Sequence, residues 1–163
     1  MSGDPHDPKD AGRLPLAGRT ALITGAAGDI GRATSVRLAA AGASVVLADI
    51  VDGLDATAAL CAAANTGSTP ITIGFDVTDP DDVRCAFADL ADRGVVADLL
   101  FNNAGYQGSF DNIVDYDVAD FRRVIDINVT GVFLVLQCFG RALIPTGRPG
   151  SIVNTASMAH LSL

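Results

Sequence analysis

The chain has 163 residues, the size of one ordinary domain, and a formal charge of −8 from 11 Lys and Arg against 19 acids. Every acid is Asp and the only lysine is Lys9, so the clustered cations that nucleic acid or an anionic membrane surface demands are missing. Hydrophobic residues make up 49% with a mean hydropathy of +0.36, enough for a real core, and no uninterrupted apolar run approaches the ~20 residues of a bilayer span.

Residues 1–17 hold Pro5, Pro8 and Pro15 among mixed charges and read as a mobile tail without the apolar stretch of a secretory leader. From Thr20 the pattern changes. Residues 20–24 form a short apolar run of strand length, 30–41 have helical spacing, and 44–49 return to a strand. The alternation continues with a helix at 53–64, a strand at 71–75, a helix at 80–93, a strand at 95–101, a long helix at roughly 118–143 and a strand at 151–155. Asp79 before Pro80 is a cap with proline at the first helical position, and Gly42, Gly67 and Gly94 stand where helices should stop. Strands that are apolar throughout and alternate with helices predict a parallel sheet covered on both faces. The simplest arrangement is a Rossmann-like, doubly wound α/β domain over 18–163 with strand order 3-2-1-4-5 and a ligand crevice at the carboxyl ends of strands one and four. Cys61, Cys85 and Cys138 are odd in number and lack CxxC spacing, which predicts neither a disulfide framework nor a metal site and fits a reducing cytoplasm.

The first strand runs into Thr24-Gly25-Ala26-Ala27-Gly28-Asp29-Ile30-Gly31, and a helix follows. A glycine turn in that context faces backbone N–H groups and a helix N-terminus toward a pyrophosphate. Gly25 permits the tight turn, and Gly31 lets the helix pack close to the sheet. Glycines at a strand–helix junction also arise from turn chemistry alone. The acid at the end of the second strand separates the two readings: Asp49 stands 18 residues after Gly31, where a carboxylate accepts hydrogen bonds from the adenosine ribose hydroxyls and repels a 2′-phosphate. NAD rather than NADP is therefore the expected cofactor. Asp52 and Asp55 read as loop or capping acids.

With these residues in place, residues 18–160 resemble the short-chain dehydrogenase/reductase family. The matching pieces are TGAAGDIG at 24–31, Asp49, Asp76-Val77, Asn102-Asn103-Ala104-Gly105, Asn128 in INVTG and Ser157 in SIVNTAS. The resemblance implies that Asp76 and Val77 meet the adenine ring, and that Asn103, Ala104 and Gly105 lie beside the adenosine ribose, with Asn102 tying the sheet together. It further implies that Asn128 holds a water in a proton relay and that Ser157 bonds the oxygen of a small-molecule alcohol or ketone. An asparagine that satisfies backbone groups at a helix kink, and a serine that caps a helix, are the structural alternatives. The family's use of the 118–143 helix in a four-helix subunit interface implies a homo-oligomeric full-length form, and Phe121, Phe133 and Phe139 read as core or interface.

Two departures stand out. The family's usual TGxxxGxG places glycine where this chain has Asp29, its glycine having moved to Gly28. Asp29 either caps the following helix or brings a negative charge near the pyrophosphate. The family's catalytic YxxxK begins about a dozen residues after the serine, whereas Leu163 lies six residues after Ser157. Tyr106 and Tyr116 are the only tyrosines, and Asp120 stands where a lysine would follow Tyr116. Reduction of a carbonyl needs a proton donor for the developing alkoxide, and a Tyr with pKa near 10 serves only when a neighbouring Lys tunes it. The expectation is the amino-terminal part of an NAD-dependent alcohol/ketone oxidoreductase, truncated after the fifth strand and inactive by itself. A non-catalytic dinucleotide-binding module and an inactive fragment are the alternatives.

Overall fold

The computed structural model describes residues 14–157; residues 1–13 and 158–163 lie outside it, and with them most of the expected tail. The elements in order are β1 (Thr20–Thr24), α1 (Asp29–Ala40), β2 (Ser44–Asp49), α2 (Leu54–Ala64), β3 (Ile71–Gly74), α3 (Pro80–Asp92), β4 (Leu99–Asn102), α4 (Val118–Ile125), a π-helical segment (Asp126–Gly131), α5 (Val132–Leu143), a 3-10 turn (Ile144–Thr146) and β5 (Ser151–Asn154). The sheet order is β3-β2-β1-β4-β5, and every pair is parallel, with Ile23 beside both Leu47 and Phe101, and Leu100 beside Ile152.

The continuous apolar runs are explained by two cores. Leu22, Val46 and Leu100 point to one face and pack with Val83, Leu90, Val135 and Phe139 of α3 and α5. Ala21, Ile23, Val45 and Leu47 point to the other and pack with Ala39 of α1 and Cys61 of α2. A strand buried on both faces has no polar side to display.

Helix ends follow local chemistry. Asp79 caps α3 through Oδ1, which accepts the N–H groups of Asp81 and Asp82 at 2.8 and 3.3 Å. Gly42 (φ +96°) and Gly94 (φ +70°) close α1 and α3 in the left-handed conformation that suits glycine. Gly67 does not play that part. Asn65 ends α2 instead: its Nδ2 donates to the Ala43 carbonyl and its Oδ1 accepts from Gly67 N–H.

The structure differs from expectation at three further points. Residues 14–17, assigned to the tail, belong to a turn docked on the protein: Leu16 N–H donates to the Ala41 carbonyl at 2.8 Å, and its side chain packs on the α1/α2 core. β4 begins at Leu99 rather than 95. Before it, Asp98 turns its buried carboxylate (3% exposed) to Thr20 N–H, Arg19 Nε and Arg148 Nη2 at 2.9, 2.8 and 2.5 Å. The long helix is not uniform but changes to π-helical pitch over Asp126–Gly131. There Gly131 passes Val77 so closely that a Cβ would lie 2.8 Å from Val77 Cγ2, and Asn102 Nδ2 donates to the Val132 carbonyl at 3.0 Å, tying β4 to α5.

Of the three phenylalanines assigned to core or interface, Phe139 is core (2% exposed), whereas Phe121 and Phe133 are 55% and 57% exposed on an apolar stripe with Ile125 and Val129. The helical stretch Val118–Thr146 is also long and apolar enough, by length and composition, to cross a membrane. Its buried residues Val135, Cys138, Phe139 and Leu143 pack in the sheet's own core instead.

Candidate functional site

A cleft of about 920 Å³ opens at the carboxyl ends of the strands, lined by the β1–α1 turn, the end of β2, the β3–α3 and β4–α4 loops and the first turns of α4. It brings together most of the residues singled out in the sequence. Gly25, Gly28, Asp29 and Ile30 line it from the turn, Asp49 from β2, Asp76 and Val77 from the loop after β3, and Asn103, Ala104 and Gly105 from the loop after β4. Gly31 lies beneath the cleft, and Asn128 and Ser157 are not among its lining.

The glycines are required by close packing. Gly25 has φ +66°, and a Cβ on it would sit 3.0 Å from Ala104 Cα. A Cβ on Gly31 would overlap the Gly25 carbonyl oxygen. The turn's own groups are accounted for: Ala26 N–H donates to Ala48 O, Gly28 N–H to Gly25 O, and Arg32 N–H makes the first intrahelical bond, to Gly28 O. The amides of Asp29, Ile30 and Gly31 therefore precede the first helical bond, where donors are left over for a ligand. Gly28 is the N-cap residue, in extended conformation, and Asp29 is the first helical residue. The capping role considered for Asp29 is thus not realised, and its exposed side chain borders the cleft.

Asp49 is held at both oxygens. Oδ2 accepts from Ala27 N–H at 2.9 Å, and Oδ1 from Ile50 and Val51 N–H at 2.8 and 3.2 Å. On the far side of β2, Asp76 Oδ1 accepts from both the N–H and the hydroxyl of Thr78 at 2.8 Å. This carboxylate shapes the β3–α3 loop while Val77 packs against Gly131.

Thr24, to which sequence reasoning gave no role, is the joint between strands. Its buried Oγ1 accepts the N–H groups of Asn103 and Ala104, each at 2.9 Å, and bonds to Asn102 Oδ1 at 3.3 Å. Asn103 reaches back to the carbonyls of Thr24 and Gly25 and accepts from Thr155 Oγ1 at 3.0 Å. A threonine directly before the first glycine was the available signal, since its hydroxyl can hold a neighbouring loop.

Asn128 acts on the backbone. Its Oδ1 accepts from Tyr106 N–H at 2.9 Å and its Nδ2 donates to Tyr106 O at 2.7 Å. This is the structural alternative considered for it, an asparagine satisfying backbone groups at an irregular helix. Asp120 is a second hub that the sequence did not reveal: it accepts from Tyr106 Oη, Tyr116 Oη and Ser109 N–H at 2.9, 3.0 and 2.8 Å. Those hydrogen bonds, the Ser109 amide foremost, hold the Asp120 carboxyl below the ordinary carboxylate range. The bond to Asp120, with desolvation and its charge, pushes the Tyr106 hydroxyl up despite the Arg123 guanidinium 4.4 Å from the ring centre. Ser157 lies exposed beyond β5.

A parallel sheet wound in both directions from β1, with a cleft where the strand order reverses and a glycine turn opening a helix beneath it, is the architecture of Rossmann-type nucleotide-binding domains. A family model described as short chain dehydrogenase matches residues 19–162, and the chain belongs to that family of oxidoreductases. It is 40% identical over 148 residues to sorbitol dehydrogenase of Cereibacter sphaeroides, covering 90% of this chain and 55% of that one. It is 41% identical over 145 residues to the mitochondrial borneol dehydrogenase of Lavandula x intermedia, covering 88% and 53%. The crystal structure of an NAD+-bound xylitol dehydrogenase matches with a TM-score of 0.82 at 41% identity, covering 91% of this chain and 56% of the other. The chain thus spans about half the length of the curated relatives it matches.

Proposed function

We propose that the cleft binds NAD, and that in a full-length form it serves hydride transfer between the nicotinamide and a small-molecule secondary alcohol or ketone. The observation that carries the reading is Asp49: a carboxylate at the end of β2, fixed through both oxygens, on the rim of the cleft. A ribose hydroxyl would donate to the lone pair left on its Oδ2, while a 2′-phosphate would meet like charge. The residues present fit the group. Gly25 and Gly31 let the β4–α4 loop and α1 close on the turn without a Cβ in the way, and the amides of residues 29–31 at the start of α1 supply donors for the pyrophosphate. Val77 and Asp76 would flank the adenine, and Asn103, Ala104 and Gly105 the adenosine ribose. The bound nicotinamide supplies the hydride; the chain positions it. Ser157 is proposed to orient the substrate oxygen. Since Asn128 spends both ends of its amide on Tyr106, its contribution to a proton relay is the shape of the π-helical segment. The stripe of Phe121, Ile125, Val129 and Phe133 is proposed as the face on which copies of the full-length protein pair.

Titration with NADH and NADPH tests the cofactor. NADH is expected to bind more tightly, and Asp49→Ala to weaken it by roughly 1–3 kcal/mol, the scale of hydrogen bonds to a charged group. Tighter binding of NADPH by the unmodified protein would overturn the reading.

Asp29 gives a second expectation. Its charge at the rim opposes a pyrophosphate, so Asp29→Gly should raise NADH affinity. The change also removes an acid from the first turn of α1, at a stability cost of about 0.3–1 kcal/mol. Affinity and melting temperature measured on the same variant should move in opposite directions, and weaker NADH binding would show that Asp29 helps the site.

A further inference from the structure

Thr57 on α2 is fully buried and Arg32 on α1 half-buried, and neither lines the cleft. A buried helical threonine ordinarily satisfies its hydroxyl on a carbonyl of its own preceding turn. Thr57 instead reaches out of its helix to the glycine turn: Oγ1 donates to the Ala26 carbonyl at 3.0 Å and accepts from Arg32 Nε at 3.2 Å. The peptide joining Ala26 to Ala27 is thereby held at its carbonyl. Its other end, the Ala27 N–H, donates to Asp49 Oδ2 at 2.9 Å. The next peptide is held by the same arginine, whose Nη2 donates to the Ala27 carbonyl at 2.8 Å.

One line of hydrogen bonds therefore runs from a guanidinium, through a hydroxyl and a peptide, to a carboxylate, with every donor pointing the same way. Bonds in such a line polarise one another, and those with an ionised member are the stronger ones. Packing alone does not call for it, since valine fills the same volume as threonine. We propose that Thr57 and Arg32 are positioning residues that aim the Asp49 carboxylate through the Ala26–Ala27 peptide and so set the preference between NADH and NADPH. The proposal rests on the reading of the cleft as an NAD site.

The test is a double-mutant cycle on dissociation constants for NADH and NADPH, using the unmodified protein, Thr57→Val, Asp49→Ala and the double variant, with Thr57→Ser as the conservative control. Thr57→Val should weaken NADH about tenfold and NADPH less than about twofold, and Thr57→Ser should restore NADH to within about twofold of the unmodified protein. In the Asp49→Ala background, Thr57→Val should cost less than about twofold. Additive losses, equal losses for both nucleotides, or no loss at Thr57→Val would each overturn the proposal while leaving the NAD reading intact. Failure of the unmodified protein to bind NADH would overturn both. If Thr57→Val does not fold, Arg32→Gln enters the same cycle from the other end of the line, with the same outcomes.

Discussion

The 163-residue polypeptide, assayed alone, is expected to oxidise NADH no faster than background with any ketone offered to it. Carbonyl reduction requires an acid of suitable pKa within hydrogen-bond reach of the substrate oxygen. Tyr106 is the one phenol on the cleft, and its proton is already donated to Asp120 Oδ1. That bond, desolvation and the Asp120 charge push its pKa above the usual value, whereas a useful acid would be tuned downward. Tyr116 is pushed up too, first by desolvation and then by the same carboxylate. The only lysine, Lys9, lies outside the described residues. A serine hydroxyl is a far weaker acid than a phenol, and the amide of Asn128 is not an acid at working pH. General acid–base assistance is worth about 10²–10⁴-fold, and poor positioning of the substrate adds to the deficit. The comparison that decides is turnover by this polypeptide against a version extended at its C-terminus by a segment carrying Tyr-x-x-x-Lys. Equal turnover by the two would sink the argument. Activity in the extended version alone would identify the missing acid.

Replacing Asp98 by Asn should cost about 3 kcal/mol of stability. Burial alone would raise this carboxyl's pKa, but the Thr20 amide, Arg148 and Arg19 more than compensate and hold it below the ordinary value. Removing one partner of a buried pair costs about 3–5 kcal/mol. The low end applies because Arg19 and Arg148 are partly exposed and can turn to water. The sign of the pH dependence follows. A carboxylate with a depressed folded-state pKa stabilises fully above its unfolded value of about 3.9, and the contribution fades as pH falls from there toward the lower folded-state value. Urea unfolding of the wild type and Asp98→Asn should therefore differ most at pH 7, and the difference should shrink as pH falls below about 4. A difference that does not change with pH would mean that Asp98 acts by packing rather than charge.

The parallel sheet was legible because β1 and β2 are buried on both faces and so lack polar alternation, and because glycine or proline punctuates the helices. The placement of Asp49 and the turn on one cleft was legible because it depends on spacing within one βαβ unit. What escaped was set by long-range partners. Asp98 is paired with residues 79 and 50 positions away, and nothing in its neighbours announces burial. The pitch change at Asp126–Gly131 escaped because an apolar helix keeps the same appearance when one turn widens. The contacts that accompany it, the approach of Gly131 to Val77 and the grip of Asn128 on Tyr106, exist only after folding. Thr57 escaped likewise, since its partners lie on a different helix and a turn.

The Asp98 cluster joins the amino ends of β1, β4 and the approach to β5, whereas the cleft lies across the carboxyl ends. Strands of four to six residues put roughly 15 Å between them, at about 3.3 Å per residue. That exceeds the ~7–10 Å beyond which substitutions without common partners act independently, and the two regions share no side chains. The molecule is accordingly divided along its strands into an anchoring end and a working end. Engineering can treat them as independent dials: gains in heat tolerance won at the anchor should add to, rather than trade against, changes of nucleotide preference made at the rim.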